Sequence, residues 1–268
     1  MTRAAAIRAR SWRIALPASP ALQGAVGLAL GSALWEVTGR TIGGVLIPPF
    51  SAVIGRLVDL ILSGEIAESL VVSLGNLALG LGISLVVGVG VGSAMGWWRS
   101  VDYALSPYVN ALLTAPSLVF APIFFSFWGV GRESIIALIV MYAVFVLIVN
   151  TSIAIRSVPE ELVEMATCYS ASRFQVFRYV VLPTATPLIL AGVRLAVGRA
   201  VKGMINGEMF IAVVGLGRII VISGRQLDVA SVLAVLIVVV LVALALMRVL
   251  LIVEQRLTGW LPETARTG

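Results

Sequence analysis

The sequence predicts an all-α integral membrane protein with six transmembrane helices. Three observations favour this class: 60% of the 268 residues are hydrophobic, the mean hydropathy is +1.07, and only 12% of the residues are charged. Soluble globular chains carry about a quarter charged residues, so this chain has more apolar surface than one core can bury. Because a membrane-spanning helix needs about 20 apolar residues, the length accommodates six spans with short connections.

The composition also restricts the chemistry of the chain. It contains no histidine, which excludes histidine-based zinc sites and Ser-His-Asp triads, and Cys168 is the only cysteine. The three aspartates lie at or near predicted span ends, which disfavours intramembrane aspartyl catalysis. We therefore expect no catalytic residue, no metal site and no cofactor in this chain. The net charge of +6 is better explained by membrane orientation than by nucleic-acid binding, so we expect no nucleic-acid partner.

The N-terminal region reads as a basic tail, a first span and an interfacial helix. Residues 1–20 contain four arginines and no acid, and the apolar run at 21–38 follows without a clear cleavage pattern. We therefore expect a cytoplasmic tail and a retained span rather than a cleaved signal peptide. After Pro49, the sequence predicts an amphipathic helix that Ser51 caps and that reaches about Ser63, lying in the membrane interface.

Five further apolar segments follow in order. The second span contains seven glycines, which predicts a surface for close packing against another helix. Pro116 and Pro122 interrupt the third span and should kink it. The chain is expected to stay irregular through Gly215-Leu216-Gly217. The five predicted spans are 69–97, 104–127, 133–153, 183–205 and 230–252.

The distribution of basic residues predicts the orientation. With the N-terminus inside, 11 of the 19 Lys and Arg residues lie on the inner side, five on the outer side and three within the fifth span. This excess places both termini, including the tail at 259–268, in the cytoplasm. The polar loop at 154–182 is then cytoplasmic as well.

This loop predicts two short amphipathic helices. The pairs Ser157–Glu160 and Ser172–Gln175 each fit a capping box, and Pro183 predicts the end of the second helix. The apolar faces of the two helices have two explanations. They pack beneath the membrane bundle, or they bind another subunit.

The loop also resembles a known motif. Glu164-Met165-Ala166, Ser170-Ala171 and Val180-Val181-Leu182-Pro183 resemble the EAA motif (E-A-A, three residues, G, then I-x-L-P) of permeases in bacterial ATP-binding-cassette importers. Other segments, from 21 to 258, occur in the order seen in the subfamily that includes permeases for nitrate, taurine and aliphatic sulfonates. These segments are Trp35-Glu36, Leu46-Ile47-Pro48-Pro49, Pro116 with Pro122, Phe127 to Gly131, Asn150-Thr151, Ile155 to Val158, and Glu208 with Gly215-Leu216-Gly217.

The resemblance implies a type I importer permease fold in the bacterial inner membrane. Two permease copies would form the pore, two ATPase subunits would bind ATP and Mg and dock on the cytoplasmic loops, and an external binding protein would deliver the cargo. The first loop helix would be the coupling helix. Met165 departs from the motif's alanine, and Ser170 from its glycine. The residues that the resemblance assigns to ATPase coupling are Glu164, Met165, Ala166, Ser170, Ala171, Leu182 and Pro183.

Polar residues within the predicted spans indicate a translocation path. Because charged groups within spans usually face water or the bundle interior, the polar side of span five would form a basic wall for an anionic cargo. Alternatively, Arg194 reaches the interface, Arg199 or Lys202 pairs with Glu36 or Glu208, or this side contacts a second copy. For the polar residues of other spans, the alternative is an interhelical hydrogen bond. The candidate path residues are Asn110, Thr114, Tyr142, Arg194, Arg199, Lys202, Asn206 and Glu208.

Three other functions fit parts of the sequence. A gradient-driven secondary transporter or channel would need no coupling loop and no ATPase, and its only titratable candidates inside the spans are Glu36 and Glu208. A membrane-embedded enzyme lacks a convincing nucleophile and base. A permease of a different importer subfamily would work with a non-identical partner. The sequence does not name the cargo.

Overall fold

The computed structural model describes residues 20–42 and 47–257, so all but Pro20 of the predicted tails at 1–20 and 259–268 lies outside the described residues. Every regular element in this part of the chain is helical. The helices, in chain order, are α1 (Pro20–Ile42), α2 (Phe50–Leu62), α3 (Glu65–Trp97), α4 (Arg99–Thr114), a 3₁₀ turn (Ser117–Phe120), α5 (Ala121–Trp128), α6 (Arg132–Arg156), α7 (Glu160–Cys168), α8 (Arg173–Val176), a π segment (Phe177–Val181), α9 (Leu182–Ile211), α10 (Gly215–Arg225) and α11 (Val229–Leu257).

Within the described residues, four helices are long and apolar enough to cross a membrane: α3, α6, the continuous helix Arg173–Ile211 and α11. A fifth candidate is the pair formed by α4 and the segment Ser117–Trp128, which bends by 97°. The bend begins at Ala115, whose ψ of 140° is extended because a following proline disfavours helical backbone. The predicted interruption at Pro116 is therefore confirmed. With 23 residues, α1 is long enough to span but is less apolar.

The centre of the bundle is formed by α3, α6 and α9, with α6 between the other two. Small residues of α3 recur at every fourth position on its contact with α6: Gly80, Ser84, Gly88, Gly92 and Gly96. A Cβ on Gly92 would lie 2.6 Å from the carbonyl oxygen of Ile148. By contrast, Gly82 and Gly90 face open space. The predicted helix-packing surface is confirmed for one side of α3, where small residues allow close approach.

Two predictions about local structure, at the start of α2 and at the start of α10, were wrong. Ser51 does not cap α2, because the helix already begins at Phe50; the N–H and hydroxyl of Ser51 instead donate to the Glu36 carboxylate at 2.8 and 2.9 Å. The segment Gly215-Leu216-Gly217 is not irregular but forms the first turn of α10. Long-range contacts, which local patterns do not contain, determine both outcomes.

Pro183 does not end the second loop helix, contrary to the prediction. The backbone stays helical from Arg173 to Ile211, and the turn before the proline widens into the π segment. There the N–H of Leu182 donates to the carbonyl of Phe177, five residues earlier. Proline has no N–H and its ring clashes with the carbonyl four residues earlier, so a widened turn accommodates it without a break.

Candidate functional site

The helix α7 presents two different faces. Val163 and Ala166 on its inner face pack against an apolar cluster that includes Ile155 and Val181. None of the side chains of α7 is fully buried. The outer face, defined here as Glu161, Glu164, Met165, Cys168 and Tyr169, is exposed, with Met165 at 54% and Tyr169 at 85%. The inner face thus anchors α7 to the bundle. The outer face presents acidic and apolar side chains that another protein could contact.

One of the two predicted capping boxes forms. At Ser172, the N–H donates to Gln175 Oε1 at 2.7 Å and the hydroxyl accepts from the N–H of Gln175, so this box is confirmed. The box at Ser157 does not form, because α6 continues to Arg156 and leaves Ser157 with helical backbone angles (φ −80°, ψ −2°). An N-cap needs an extended backbone, and the Ser157 hydroxyl donates to Ala154 O instead.

The turn between α7 and α8 is built around Ser170. This residue has a φ of +58°. Its N–H donates to Thr167 O at 2.9 Å, and the N–H of Ala171 donates to Ala166 O at 3.2 Å. These two bonds are those of a Schellman motif, in which the residue after the helix cap adopts the left-handed conformation and is usually glycine. The serine that replaces the motif's glycine therefore occupies the position where glycine is least strained.

The basic residues of α9 do not form one continuous free surface. Arg194 forms an ion pair with Glu254 of α11, an acid that the sequence did not suggest because it lies 60 residues away. Arg199 and Lys202 are exposed, and neither forms an ion pair within the described part of the chain. The alternative in which Arg199 or Lys202 pairs with Glu36 or Glu208 is not observed: Glu36 binds Arg40, and Glu208 accepts from a backbone N–H.

The two remaining polar candidates of α9 have interhelical partners. Asn206 Nδ2 donates to the hydroxyl of Tyr142 on α6 at 2.8 Å. Beside this bond, Lys202 and Asn206 line a cavity of about 280 Å³. Glu208 is completely buried and accepts a hydrogen bond from the N–H of Gly217 at 3.0 Å. Glu208 therefore connects α9 to α10 and does not face a path.

A polar stripe along α4 contains Asn110 and Thr114 and extends beyond them. Asp102, Ser106, Asn110 and Thr114 recur at every fourth position, and both Asn110 and Thr114 are exposed. Residues four apart share one side of a helix. The stripe ends at the Asp102 carboxylate, which Arg156 binds at 2.5 Å. Sequence reasoning missed Asp102, Ser106 and Arg156 as site residues. The spacing of Asp102 and Ser106 in α4 was visible, but their proximity to Arg156 of α6 was not.

A pocket of about 170 Å³ lies beside the lower part of this stripe, between α4 and α6. Asp102, Ser106, Asn110, Ser152 and Arg156 are among its lining residues. Arg156 also donates to Met95 O at 2.9 Å, so one guanidinium joins the ends of α3, α4 and α6. The polar groups therefore line a cleft at the same end of the bundle as α7.

Comparisons with known proteins agree with this architecture. The family model described as "binding-protein-dependent transport system inner membrane component" matches residues 80–259. The riboflavin transport system permease protein of Chloroflexus aurantiacus is 33% identical over 60% of each chain, so the match spans less than two thirds of that relative. The taurine transport system permease protein of Escherichia coli is 30% identical over 84% of each chain.

A solved structure shares the fold. A chain of the MetNI methionine ABC transporter, in an inward-facing conformation, superposes with a TM-score of 0.64 and 17% sequence identity. The match covers 72% of the present chain and 95% of that chain.

Proposed function

Because the chain belongs to the family of binding-protein-dependent transport system inner membrane components, we propose that it forms the pore of an ATP-driven importer for a small, anionic solute. It is a multi-pass membrane permease of the group that contains the taurine permease. It is not an enzyme, because ATP hydrolysis in such importers belongs to a separate ATPase subunit. The six spans of the proposal are α1, α3, the bent pair α4–α5, α6, α9 and α11.

The proposed complex contains two copies of this chain, two ATPase subunits that bind ATP and Mg, and an extracytoplasmic binding protein. Both termini and the segment α7–α8 lie on the cytoplasmic side of the bacterial inner membrane. The excess of basic residues on this side supports the orientation.

The observation that carries the proposal is the exposed outer face of α7 on a rigid support. The Schellman turn at Ser170 and the capping box at Ser172 hold α7 and α8 at a fixed angle. From Arg173 the backbone continues without a break into the membrane. A subunit that binds Glu164 and Met165 would thus act on a membrane helix through a stiff connection.

In the proposed mechanism, nucleotide binding closes the ATPase pair and displaces the two copies of α7. The attached spans rock between an inward-open and an outward-open arrangement. Docking of the binding protein and binding of the nucleotide each favour particular states of this one equilibrium. Cargo delivery and ATP binding are therefore coupled. The residues of this chain bind the other subunits and the cargo and move with them, and no covalent bond is made or broken on them.

The proposed path runs along the polar stripe of α4 and the exposed basic residues of α9. Asn110 is exposed on a membrane span, where lipid would leave its side-chain amide without a hydrogen-bonding partner. Thr114 is exposed on the same stripe, and its hydroxyl donates to Asn110 O at 3.0 Å. Arg199 and Lys202 would attract a negatively charged group of the cargo, and taurine, named for the Escherichia coli relative, carries such a group in its sulfonate. The ion pair of Arg194 with Glu254 removes Arg194 from the anion-binding set.

The coupling role is tested with the complete importer in proteoliposomes. Glu164→Lys reverses a charge on the outer face of α7, and Ala166→Pro breaks the helix. Both should abolish ATP-driven uptake and cargo-stimulated ATPase activity while the permease stays in the membrane. Glu133 lies in the first turn of α6, at the end that is remote from α7. Glu133→Lys makes the same charge change there and should leave uptake unchanged. Normal stimulated ATPase activity in Ala166→Pro, or uphill uptake by the permease without ATPase subunits, contradicts the proposal.

The anionic cargo is tested separately. Calorimetry on the binding protein identifies its ligand, and uptake of that ligand is then measured for a double variant, Arg199→Gln with Lys202→Gln. We expect a rise in KM, whereas Arg225→Gln, an exposed charge on α10, should have no effect. A neutral ligand, or unchanged uptake in the double variant, contradicts an anionic cargo.

A further inference from the structure

An apolar groove of about 600 Å³ lies between the last third of α3 and the beginning of the helix Arg173–Ile211. Gly90 and Trp97 line it on α3, and Phe174 and Phe177 line it on the other side. The rings of Trp97 and Phe177 meet edge to face with their centroids 5.3 Å apart. The groove therefore has an aromatic end near α7 and α8 and extends from there along a membrane span.

The aromatic end of the groove is basic. Arg173 lines it, and Arg99 directly follows the lining residue Trp98. Both arginines are exposed, and neither forms an ion pair among the residues of 20–42 and 47–257. Trp98 is 52% exposed, and tryptophan at the end of a span is typical of the headgroup level of the bilayer.

We infer that this groove is a binding site for one anionic phospholipid per permease copy. An acyl chain would lie along α3 past Gly90, and the phosphate would bind Arg173 and Arg99 beside Trp98. Basic pockets between membrane helices at the cytoplasmic side bind anionic headgroups. The open space at Gly90, where a Cβ would meet no atom within 4 Å, accommodates the chain.

The charges favour a lipid over a second copy of this chain. In a two-fold dimer the same patch faces itself, so a contact through this groove would bring the uncompensated arginines of both copies together. The groove also extends from Trp98 back to Val89, into a helix that spans the membrane. A soluble protein cannot reach that depth in the membrane, whereas an acyl chain can pack against the apolar residues of the groove.

The bound lipid would also stabilise the connection between the loop and the membrane. Phe174 and Phe177 belong to the segment that links α8 to α9, and one occupant would contact this segment and α3 at the same time. Lipid binding at this position would therefore stiffen the base of the helix Arg173–Ile211.

The test uses the complete importer, extracted from vesicles that contain equal amounts of dioleoylphosphatidylcholine and dioleoylphosphatidylglycerol. Native mass spectrometry counts the lipids that each complex retains. The wild-type complex should retain one phosphatidylglycerol per permease copy in preference to phosphatidylcholine. Arg173→Gln should reduce this preference about fivefold, the contribution of one basic side chain near an anionic headgroup. Gly90→Leu fills the groove and should abolish retention of both lipids.

The matched control is Gly82→Leu, at a glycine of the same helix that also faces open space but does not line the groove. It should retain lipid as the wild type does. Equal retention of the two lipids, unchanged retention in Gly90→Leu, or loss of the permease dimer in that variant would each overturn the inference. Because retention is measured without ATP turnover, a failure of the import proposal would leave this result unaffected.

Discussion

The buried carboxylate of Glu208 accepts a hydrogen bond from the N–H of Gly217 at 3.0 Å, across the loop that joins α9 to α10. The neighbouring N–H of Leu216 donates to the hydroxyl of Ser73 on α3, also at 3.0 Å. The first N–H groups of a helix have no partner within the helix. Glu208 and Ser73 supply these partners to α10 and so fix three helices at one point.

Gly217→Ala should destabilise this junction. The new Cβ would lie 2.6 Å from Glu208 Cβ and 2.6 Å from the backbone N of Met209, so the backbone of α10 must shift. Overpacking of this kind costs about 1–3 kcal/mol. The measurement is the unfolding midpoint of the purified permease in mixed micelles of increasing SDS content. Gly224→Ala, in the same helix but with open space around the new methyl group, serves as control; equal midpoints for the two variants would disprove the close contact.

Ser170→Gly should stabilise the turn between α7 and α8. A left-handed conformation costs a non-glycine residue about 1 kcal/mol, and glycine removes most of this cost. Ser172→Ala should act in the opposite direction by about 1 kcal/mol, because it removes the capping hydroxyl. Both changes are measured as protection of the α7–α8 amides in hydrogen exchange of the complete importer. Reduced protection in Ser170→Gly would show that the serine side chain itself stabilises the turn.

Gly92→Ala should separate α3 from α6. Its Cβ would approach the backbone oxygen of Ile148 to 2.6 Å, and a helix backbone cannot yield as a side-chain end can. We expect a loss of about 1–3 kcal/mol in stability, visible as a lower midpoint in the same SDS titration. Gly82→Ala adds the same methyl group on the open side of α3 and should raise or preserve the midpoint. If Gly82→Ala proves the more damaging, the contact surface of α3 has been assigned to the wrong side.

The polar stripe of α4 should be accessible to water. Because Cys168 is the only cysteine, Cys168→Ser gives a thiol-free background. Asn110→Cys and Thr114→Cys in this background should react with a charged methanethiosulfonate in the assembled importer, since thiolates form only where water is present. Reaction at Asn110→Cys should also block uptake.

The controls for accessibility lie on the opposite side of the same helix. Tyr108 is exposed and Leu112 is partly exposed in the single chain, and both lie about half a turn from Asn110, so Tyr108→Cys and Leu112→Cys should face lipid and stay unmodified. Faster modification of these two positions than of Asn110→Cys would place the path on the other side of α4.

The predictions that succeeded depend on local patterns. The apolar runs defined α3, α6 and α11, and the glycines of α3 indicated a surface for helix packing, although not which side of the helix forms it. Ser172 and Gln175 lie close enough in sequence to form their box unaided. Pro116 also broke its span as expected, because its effect on Ala115 is steric and local.

The predictions that failed depend on tertiary contacts, which residues adjacent in sequence do not specify. Ser157 fits a capping pattern, but α6 retains it in a helical conformation. Pro183 fits a helix end, but the π segment accommodates its ring. The pairing of Arg194 with Glu254 and of Arg156 with Asp102 joins elements that only the tertiary packing brings together. The role of Glu208 follows from the hydrogen bond that the N–H of Gly217 in α10 donates to it, a contact that the sequence does not indicate.

The helix Arg173–Ile211 is disturbed only near its base, at the π segment, Pro183 and Pro187. Beyond Pro187 it contains no proline and continues for about 36 Å as one uninterrupted hydrogen-bonded helix. A rotation imposed at the base must therefore reappear at Ile211, and the Glu208 carboxylate passes it on to α10. In the proposed importer, the two surfaces of the bilayer would then share a single mechanical degree of freedom, and neither mouth of the pore would change shape without the other.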